Sequence, residues 1–257
     1  GKGVVDCKDT PGFIANRIGT FWLHAAVTEA IRQGIEVEEA DAVLGRPAGI
    51  PKTGIFGLLD LVGLDLMPHV LGSFEEALEA EDPFHALGPA PDLLQKMIAD
   101  GYTGRKGKGG FYRLNTDGGG KVKEVINLKT GDYAPALRPK PEALKASKKE
   151  GLRGLITHDS HGGRYARTVL LKTLSYAASL VPEIADDPDA VDRAMRLGYN
   201  WKTGPFELID KIGPSWLANA LKADGEEVPT LLTAVGDKNF YQIESGQLQH
   251  FTGSSYE

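Results

Sequence analysis

KTGIFGLLDLVG at residues 52–63 and KTGPFELIDKIG at residues 202–213 are one twelve-residue phrase written twice, 150 positions apart. Seven of the twelve positions are identical, and Leu59/Ile209 and Val62/Ile212 differ conservatively, so an internal repeat organises the chain. In each copy the residues predict a short packing helix: Thr53 or Thr203 as cap, Phe and Leu on the buried face, Asp60 or Asp210 available for a structural hydrogen bond, and Gly63 or Gly213 as terminator. Nothing in the block is a nucleophile or a metal cluster. At the same offset PGFIANR (residues 11–17) meets HGGRYAR (residues 161–167): Gly12 and Arg17 recur, but Asn16 is replaced by Ala166.

Working outward, the pattern is helical on both sides. Residues 4–5 read as the end of a strand, and Thr10-Pro11 as a cap followed by proline at the first helical position of a long helix, residues 11–33, closed by Gly34. Ile14, Ile18, Phe21, Trp22, Ala25 and Ala26 supply its apolar stripe, while Asn16, Thr20 and His24 share one face at spacing four. Shorter helices are expected over 37–44, 53–62, 65–78 and 91–100, then a glycine and lysine loop, GYTGRKGKGGFYRL (101–114), leading into a small hairpin whose second strand is 122–128. The lysine-rich stretch 139–151 is expected to be a linker or a solvated helix. Helices follow over 164–181, 188–197 and 203–212, and NFYQIESGQLQHFT closes the chain as two short strands around Ser245-Gly246. The expected division is therefore 1–138 and 139–257.

Composition narrows the function. With 41% hydrophobic residues among 257, the chain can bury one large core or two smaller ones. A net charge of −6 argues against a nucleic-acid-binding domain, and the single cysteine, Cys7, excludes an internal disulfide framework and favours a reducing compartment such as the cytoplasm. Apolar runs such as 55–66 are broken by Gly57, Asp60, Gly63 and Asp65, short of the ~18 residues of a membrane span, and GKGVVDCKD at the start is not a signal peptide.

The combination CKDTPGFIANR (7–17), TGIFGLLDLVGLD (53–65) and GRKGKGGFYRL (104–114), in that order, resembles the C-terminal domain of 3-hydroxyacyl-CoA dehydrogenases, and TGPFELID with its flanks resembles a second copy. The resemblance implies a mainly α fold: two repeated helical domains of the 6-phosphogluconate dehydrogenase C-terminal-like type, with small β-hairpins. It also implies that Asn16 belongs to the active site, since an amide donates and accepts without titrating and can hold the substrate's C3 oxygen or the catalytic histidine. Lys106, matching the family's glycine and lysine segment, is implied to approach bound NAD. Here Gly107-Lys108-Gly109 departs from the family's commoner Thr-Gly-acidic pattern, and Arg105 and Lys108 read as solvated charges.

The rest of the family's machinery is not in the sequence. GRKGKGG follows Tyr102-Thr103 rather than an apolar strand and opens no helix, so it is not a dinucleotide fingerprint. None of His24, His69, His85, His158, His161 and His250 has the setting of the catalytic histidine, and THDSHGG (157–163) reads as capping or surface rather than as a triad. The expectation is a fragment, inactive alone, of a longer NAD-dependent enzyme of fatty-acid β-oxidation acting on acyl-CoA. Its Rossmann domain would precede Gly1, and an enoyl-CoA hydratase module would follow Glu257. The second half, lacking the asparagine, is expected to be a structural pseudo-copy. The competing reading is a non-catalytic helical interaction or scaffold module; a dehydrogenase for another 3-hydroxy acid is a variant of the first.

Overall fold

A computed structural model describes residues 3–257. The chain is mainly helical, with α1 (Ala15–Gln33), α2 (Val37–Val43), α3 (Phe56–Val62), α4 (Leu66–Ala77) and α5 (Asp92–Ala99) preceding a three-stranded antiparallel sheet, β1 (Tyr112–Asn115), β2 (Val122–Ile126) and β3 (Tyr133–Pro135). Then come α6 (Glu142–Ile156), α7 (His161–Ser179), α8 (Pro188–Tyr199), α9 (Pro205–Ile212), α10 (Pro214–Ala223) and α11 (Thr230–Val235), and the hairpin β4 (Tyr241–Glu244) with β5 (Gln247–His250). Among the described residues no single helix is long and apolar enough to cross a membrane.

The two long helices form the seam of the molecule. α1 packs along α7: Phe21 stacks on Tyr176 with ring centroids 3.9 Å apart, and the Tyr165 hydroxyl donates to the Ala26 carbonyl at 3.0 Å. Arg17, only 1% exposed, donates to the Tyr176 hydroxyl and to Asp82. A buried guanidinium needs such partners, and removing one would strand the other's charge at a cost of about 3–5 kcal/mol. α8 packs on the other side of α1, so contacts run freely across position 138.

Several sequence expectations change. Residues 3–8 are not a strand end but an irregular segment tied to the second half, with the Lys8 amide donating to Ile184 and Arg193 donating to the Val4 carbonyl. The first helix begins at Ala15 rather than Pro11, because Gly12 (φ 76°) and Phe13 (φ 51°) are left-handed and cannot belong to a right-handed helix. Thr10 therefore caps nothing, and its hydroxyl is buried without a partner. At the equivalent place α7 starts regularly at His161, with Ser160 accepting from the Gly163 amide. His158 in turn accepts from the Ser160 amide and His161 contacts the Gln33 carbonyl, so THDSHGG is capping structure.

The stretch 139–151 is no linker. It forms most of α6, which kinks at Gly151 (φ 65°), buries Ala143, Leu152 and Leu155, and packs on α7 and α9. β3, α10 and α11 were not expected. Their sequences are too short, or too evenly mixed, for periodicity to declare them, and pairing with β2 or packing on α9 and α7 decides them instead.

Candidate functional site

Asn16 lies in the first turn of α1 and is exposed. Ordinary helix-start chemistry would have its amide serving backbone groups. Here the cap position belongs to Ile14, no side-chain cap is made, and no hydrogen bond among the described residues engages the Asn16 side chain. Thr20 and His24, on the same face, are buried instead, with His24 bonded to the Gly88 carbonyl at 2.7 Å. The spacing-four face thus runs from solvent into the core and leaves only Asn16 free. Ala166, its counterpart in α7, is 0% exposed.

Lys106 rides on a tight turn that a buried carboxylate holds in place. Asp60, 4% exposed near the end of α3, accepts from the Phe111 amide at 2.7 Å and the Tyr112 amide at 2.8 Å. Its own carbonyl takes the Arg105 amide, and the Gly104 amide closes on the Gly109 carbonyl at 2.7 Å. The glycines are required for this approach: a Cβ on Gly110 would fall 2.0 Å from the Asp60 carboxylate, and one on Gly104 2.5 Å from the Asp60 carbonyl. Burial pushes the Asp60 carboxyl up to about 6, opposed by the two amides and by Arg105 and Lys123. The loop folds back on itself and opens no helix, so it presents side chains and not the row of amides of a dinucleotide fingerprint.

At the tip Arg105 and Lys106 are exposed. Lys108 is not merely solvated, as the sequence suggested; it donates to the Asp100 carbonyl at 2.9 Å. No hydrogen bond links Lys106 to Asn16: one is carried by the α3–β1 lock, the other by α1. Both are exposed with their polar groups unspent, the condition for meeting a ligand or another domain.

Sequence reasoning missed a second carboxylate. Asp41 of α2 accepts from the Ile55 and Phe56 amides at 2.8 Å each and from Gly57 at 3.2 Å, and receives the Tyr112 hydroxyl at 2.9 Å. Asp41, not Thr53, is the cap of α3. In the second half Asp192 of α8 accepts from Phe206 at 2.8 Å, Glu207 at 2.9 Å and the Tyr241 hydroxyl at 2.9 Å. Asp210 accepts from Phe240 and Tyr241 as Asp60 does from Phe111 and Tyr112. Burial raises both Asp41 and Asp192 to about 7, opposed first by the Phe56 and Phe206 amides respectively, and Asp210 to about 6. The recurring Phe-Tyr pair at 111–112 and 240–241 was the legible signal.

The same lock is built twice, but the basic loop only once. Between α11 and β4 the second half has only the short connection 236–240, and its Asp210 still finds its two amides. Folding the lock therefore does not require the 104–109 loop.

A cavity of about 1270 Å³ lies elsewhere, along the α1–α7 seam. Its basic groups are already committed, Arg17 to Asp82, and Arg32 and Lys172 to Glu29. Among the described residues no set of three metal-ligating side chains is close enough to hold an ion.

Comparison with known proteins bears on these features. The model of the family described as 3-hydroxyacyl-CoA dehydrogenase, C-terminal domain, matches residues 12–114 and 163–245, one segment in each half. A fatty acid oxidation complex trifunctional enzyme of Rickettsia felis is 38% identical over 245 residues, 95% of this chain and 33% of that protein. A 3-hydroxyacyl-CoA dehydrogenase of Bacillus subtilis is 35% identical over 264 residues, 100% of this chain and 33% of its own length. Human mitochondrial hydroxyacyl-coenzyme A dehydrogenase is 39% identical over 113 residues, 44% of this chain and 34% of that protein. The chain thus spans about a third of the length of the curated relatives it matches. The crystal structure of an Escherichia coli 3-hydroxybutyryl-CoA dehydrogenase shares the fold, with a TM-score of 0.57 at 20% identity, over 89% of this chain and 60% of that one. By these matches the chain belongs to the 3-hydroxyacyl-CoA dehydrogenase family, through its C-terminal helical domain.

Proposed function

We propose that this chain is the substrate-side helical region of an NAD-dependent 3-hydroxyacyl-CoA dehydrogenase of fatty-acid β-oxidation, which oxidises (3S)-3-hydroxyacyl-CoA to 3-oxoacyl-CoA once a dinucleotide-binding domain of the same polypeptide closes over Asn16 and Lys106. The observation that carries this reading is that the first half has an exposed, unspent amide at the start of its long helix and a basic loop before its first strand, while the second half repeats the packing with a buried Ala166 in place of the amide and without the loop. The reading divides the chain into 1–138, which contributes to catalysis, and 139–257, a degenerate copy.

In this reading Asn16 donates a hydrogen bond to the substrate's C3 oxygen, holding the C3 hydrogen in line for transfer. NAD supplies the hydride acceptor. Lys106 approaches its phosphate or ribose edge as a mobile point charge, which suits an exposed lysine on a glycine turn and makes it a peripheral contact. The hydroxyl proton is removed by a histidine–glutamate pair in the other domain, so the chain alone is inactive. The buried seam of Phe21, Tyr176, Arg17 and Tyr165 favours a second role for 139–257: it covers the face of α1 that would otherwise need a second subunit. An enoyl-CoA hydratase module in the same polypeptide accords with the trifunctional name of one relative.

The test is complementation. The chain alone should form no NADH from 3-hydroxybutyryl-CoA; adding the dinucleotide-binding domain of its polypeptide should restore turnover, and Asn16→Ala in the helical part should lower it about 10²-fold. Turnover indifferent to Asn16→Ala removes Asn16 from the mechanism.

A further inference from the structure

Phe13 is out of place in two independent ways. Of the nine phenylalanines in the sequence, the other eight are each at most 5% exposed, whereas Phe13 is 53% exposed. It is also one of only three non-glycine residues among those described with positive φ, at 51°, immediately after Gly12 at 76°. A bulky residue in the left-handed region is disfavoured by clash of its Cβ with the following carbonyl, and exposing a phenyl ring forgoes the burial that aromatic residues normally obtain. Strain of this kind persists where the surroundings impose it, and it collects at functional sites.

The surroundings here do impose it. The Phe13 amide donates to the Thr10 carbonyl at 2.9 Å, and the Arg17 amide reaches back to Gly12 at 3.3 Å, closing a turn that lifts residue 13 off the helix axis. Gly12 lies against the Phe74 ring, where a Cβ would come within 2.5 Å of Cζ, so α4 fixes the turn from the other side. Yet the turn is not needed to start this helix. The corresponding position 163 is a glycine inside the regular first turn of α7, begun by an ordinary serine cap. The strained, solvent-directed ring occurs only in the half that has Asn16, and it stands three residues before Asn16 in the sequence.

We infer that Phe13 is a substrate-contacting residue whose ring forms the apolar wall for the acyl chain of the 3-hydroxyacyl thioester, beside the C3 oxygen that Asn16 holds. This rests on the active-site reading of Asn16 above. An exposed amide and an exposed ring three residues apart in the chain match a ligand whose polar C3 oxygen adjoins an alkyl chain, and the two groups divide the work: Asn16 orients, Phe13 excludes water and grips carbon. The grip should strengthen with chain length until the ring is covered.

The experiment uses the full-length polypeptide, with Phe13→Gly, Phe13→Leu and Asn16→Ala compared for KM and kcat on 3-hydroxybutyryl-CoA and 3-hydroxyoctanoyl-CoA, for KM of NAD, and for melting temperature. Glycine accepts the left-handed conformation freely. Phe13→Gly should therefore keep or raise the melting temperature while raising KM for the octanoyl substrate about tenfold and less for the butyryl one. Phe13→Leu should recover most of that loss. Unchanged acyl-CoA KM in Phe13→Gly, a rise in KM for NAD alone, or a melting temperature several degrees lower each overturns the inference. If Asn16→Ala is itself silent, the active-site reading has failed; if Asn16→Ala collapses turnover and Phe13→Gly is silent, only the role of Phe13 has.

Discussion

Restoring the missing asparagine to the second half, by Ala166→Asn, tests why the two halves are unequal. Ala166 is 0% exposed on α7, a helix packed against α1, α2, α6 and α9. The substitution adds the three heavy atoms of a carboxamide. Overpacking a filled core costs about 1–3 kcal/mol, an unsatisfied buried amide about 1–3 kcal/mol, and the loss of alanine's helix propensity about half a kcal/mol. We expect a loss of about 4 kcal/mol in urea unfolding followed by the fluorescence of the buried Trp22 and Trp201, or a fall in melting temperature of order 10 °C for a chain of this size. The mirror substitution, Asn16→Ala, touches an exposed side chain without hydrogen bonds and should change stability by less than about 0.5 kcal/mol. If Ala166→Asn cost under about 1 kcal/mol, the second half would have had room for the amide, and burial would not explain its absence.

Two further outcomes follow from the locks and the loop. Burial raises Asp192 from 3.8 to about 7, so its carboxyl stabilises the fold fully below the unfolded value and that contribution is lost as pH rises through the folded one. The advantage of the protein over Asp192→Asn in unfolding free energy should therefore shrink between about pH 4 and pH 7, by at most about 4 kcal/mol; an advantage that grows with pH contradicts the assignment. Lys106→Ala in the full-length polypeptide should leave stability within about 0.5 kcal/mol and raise KM for NAD about fivefold with kcat little changed; an unaltered KM for NAD removes Lys106 from the cofactor's surroundings.

Much of the architecture was legible because the repeated phrase carries its own physics. Phe56 and Phe206 are buried, Gly63 and Gly213 end their helices, and Asp60 and Asp210 make the structural hydrogen bonds their positions suggested. The caps were misread because each is supplied at a distance, by Asp41 to α3 and by Asp192 to α9, across a turn that local spacing does not reveal. Thr10-Pro11 carried the signature of a helix start, but the Gly12–Phe74 approach moved the start to Ala15. The lysine-rich stretch 139–151 looked solvated because its charges dominate its composition, while Ala143, Leu152 and Leu155 are enough to seat α6. At the candidate site the local surroundings were not readable from sequence. The sequence singled out Asn16 and Lys106, but their exposure, the burial of Ala166 and the backbone of Phe13 depend on which surfaces α4 and α7 cover.

The most direct test of the account is single-turnover NADH formation by the full-length polypeptide with saturating 3-hydroxyacyl-CoA and NAD, comparing Asn16→Ala with the unaltered protein. Loss of one hydrogen bond made to the reacting oxygen predicts a fall in the chemical step of about 10²-fold, with NAD affinity unchanged. A rate within about twofold of the unaltered protein, at equal occupancy, contradicts the claim that this helical region completes the active site through Asn16.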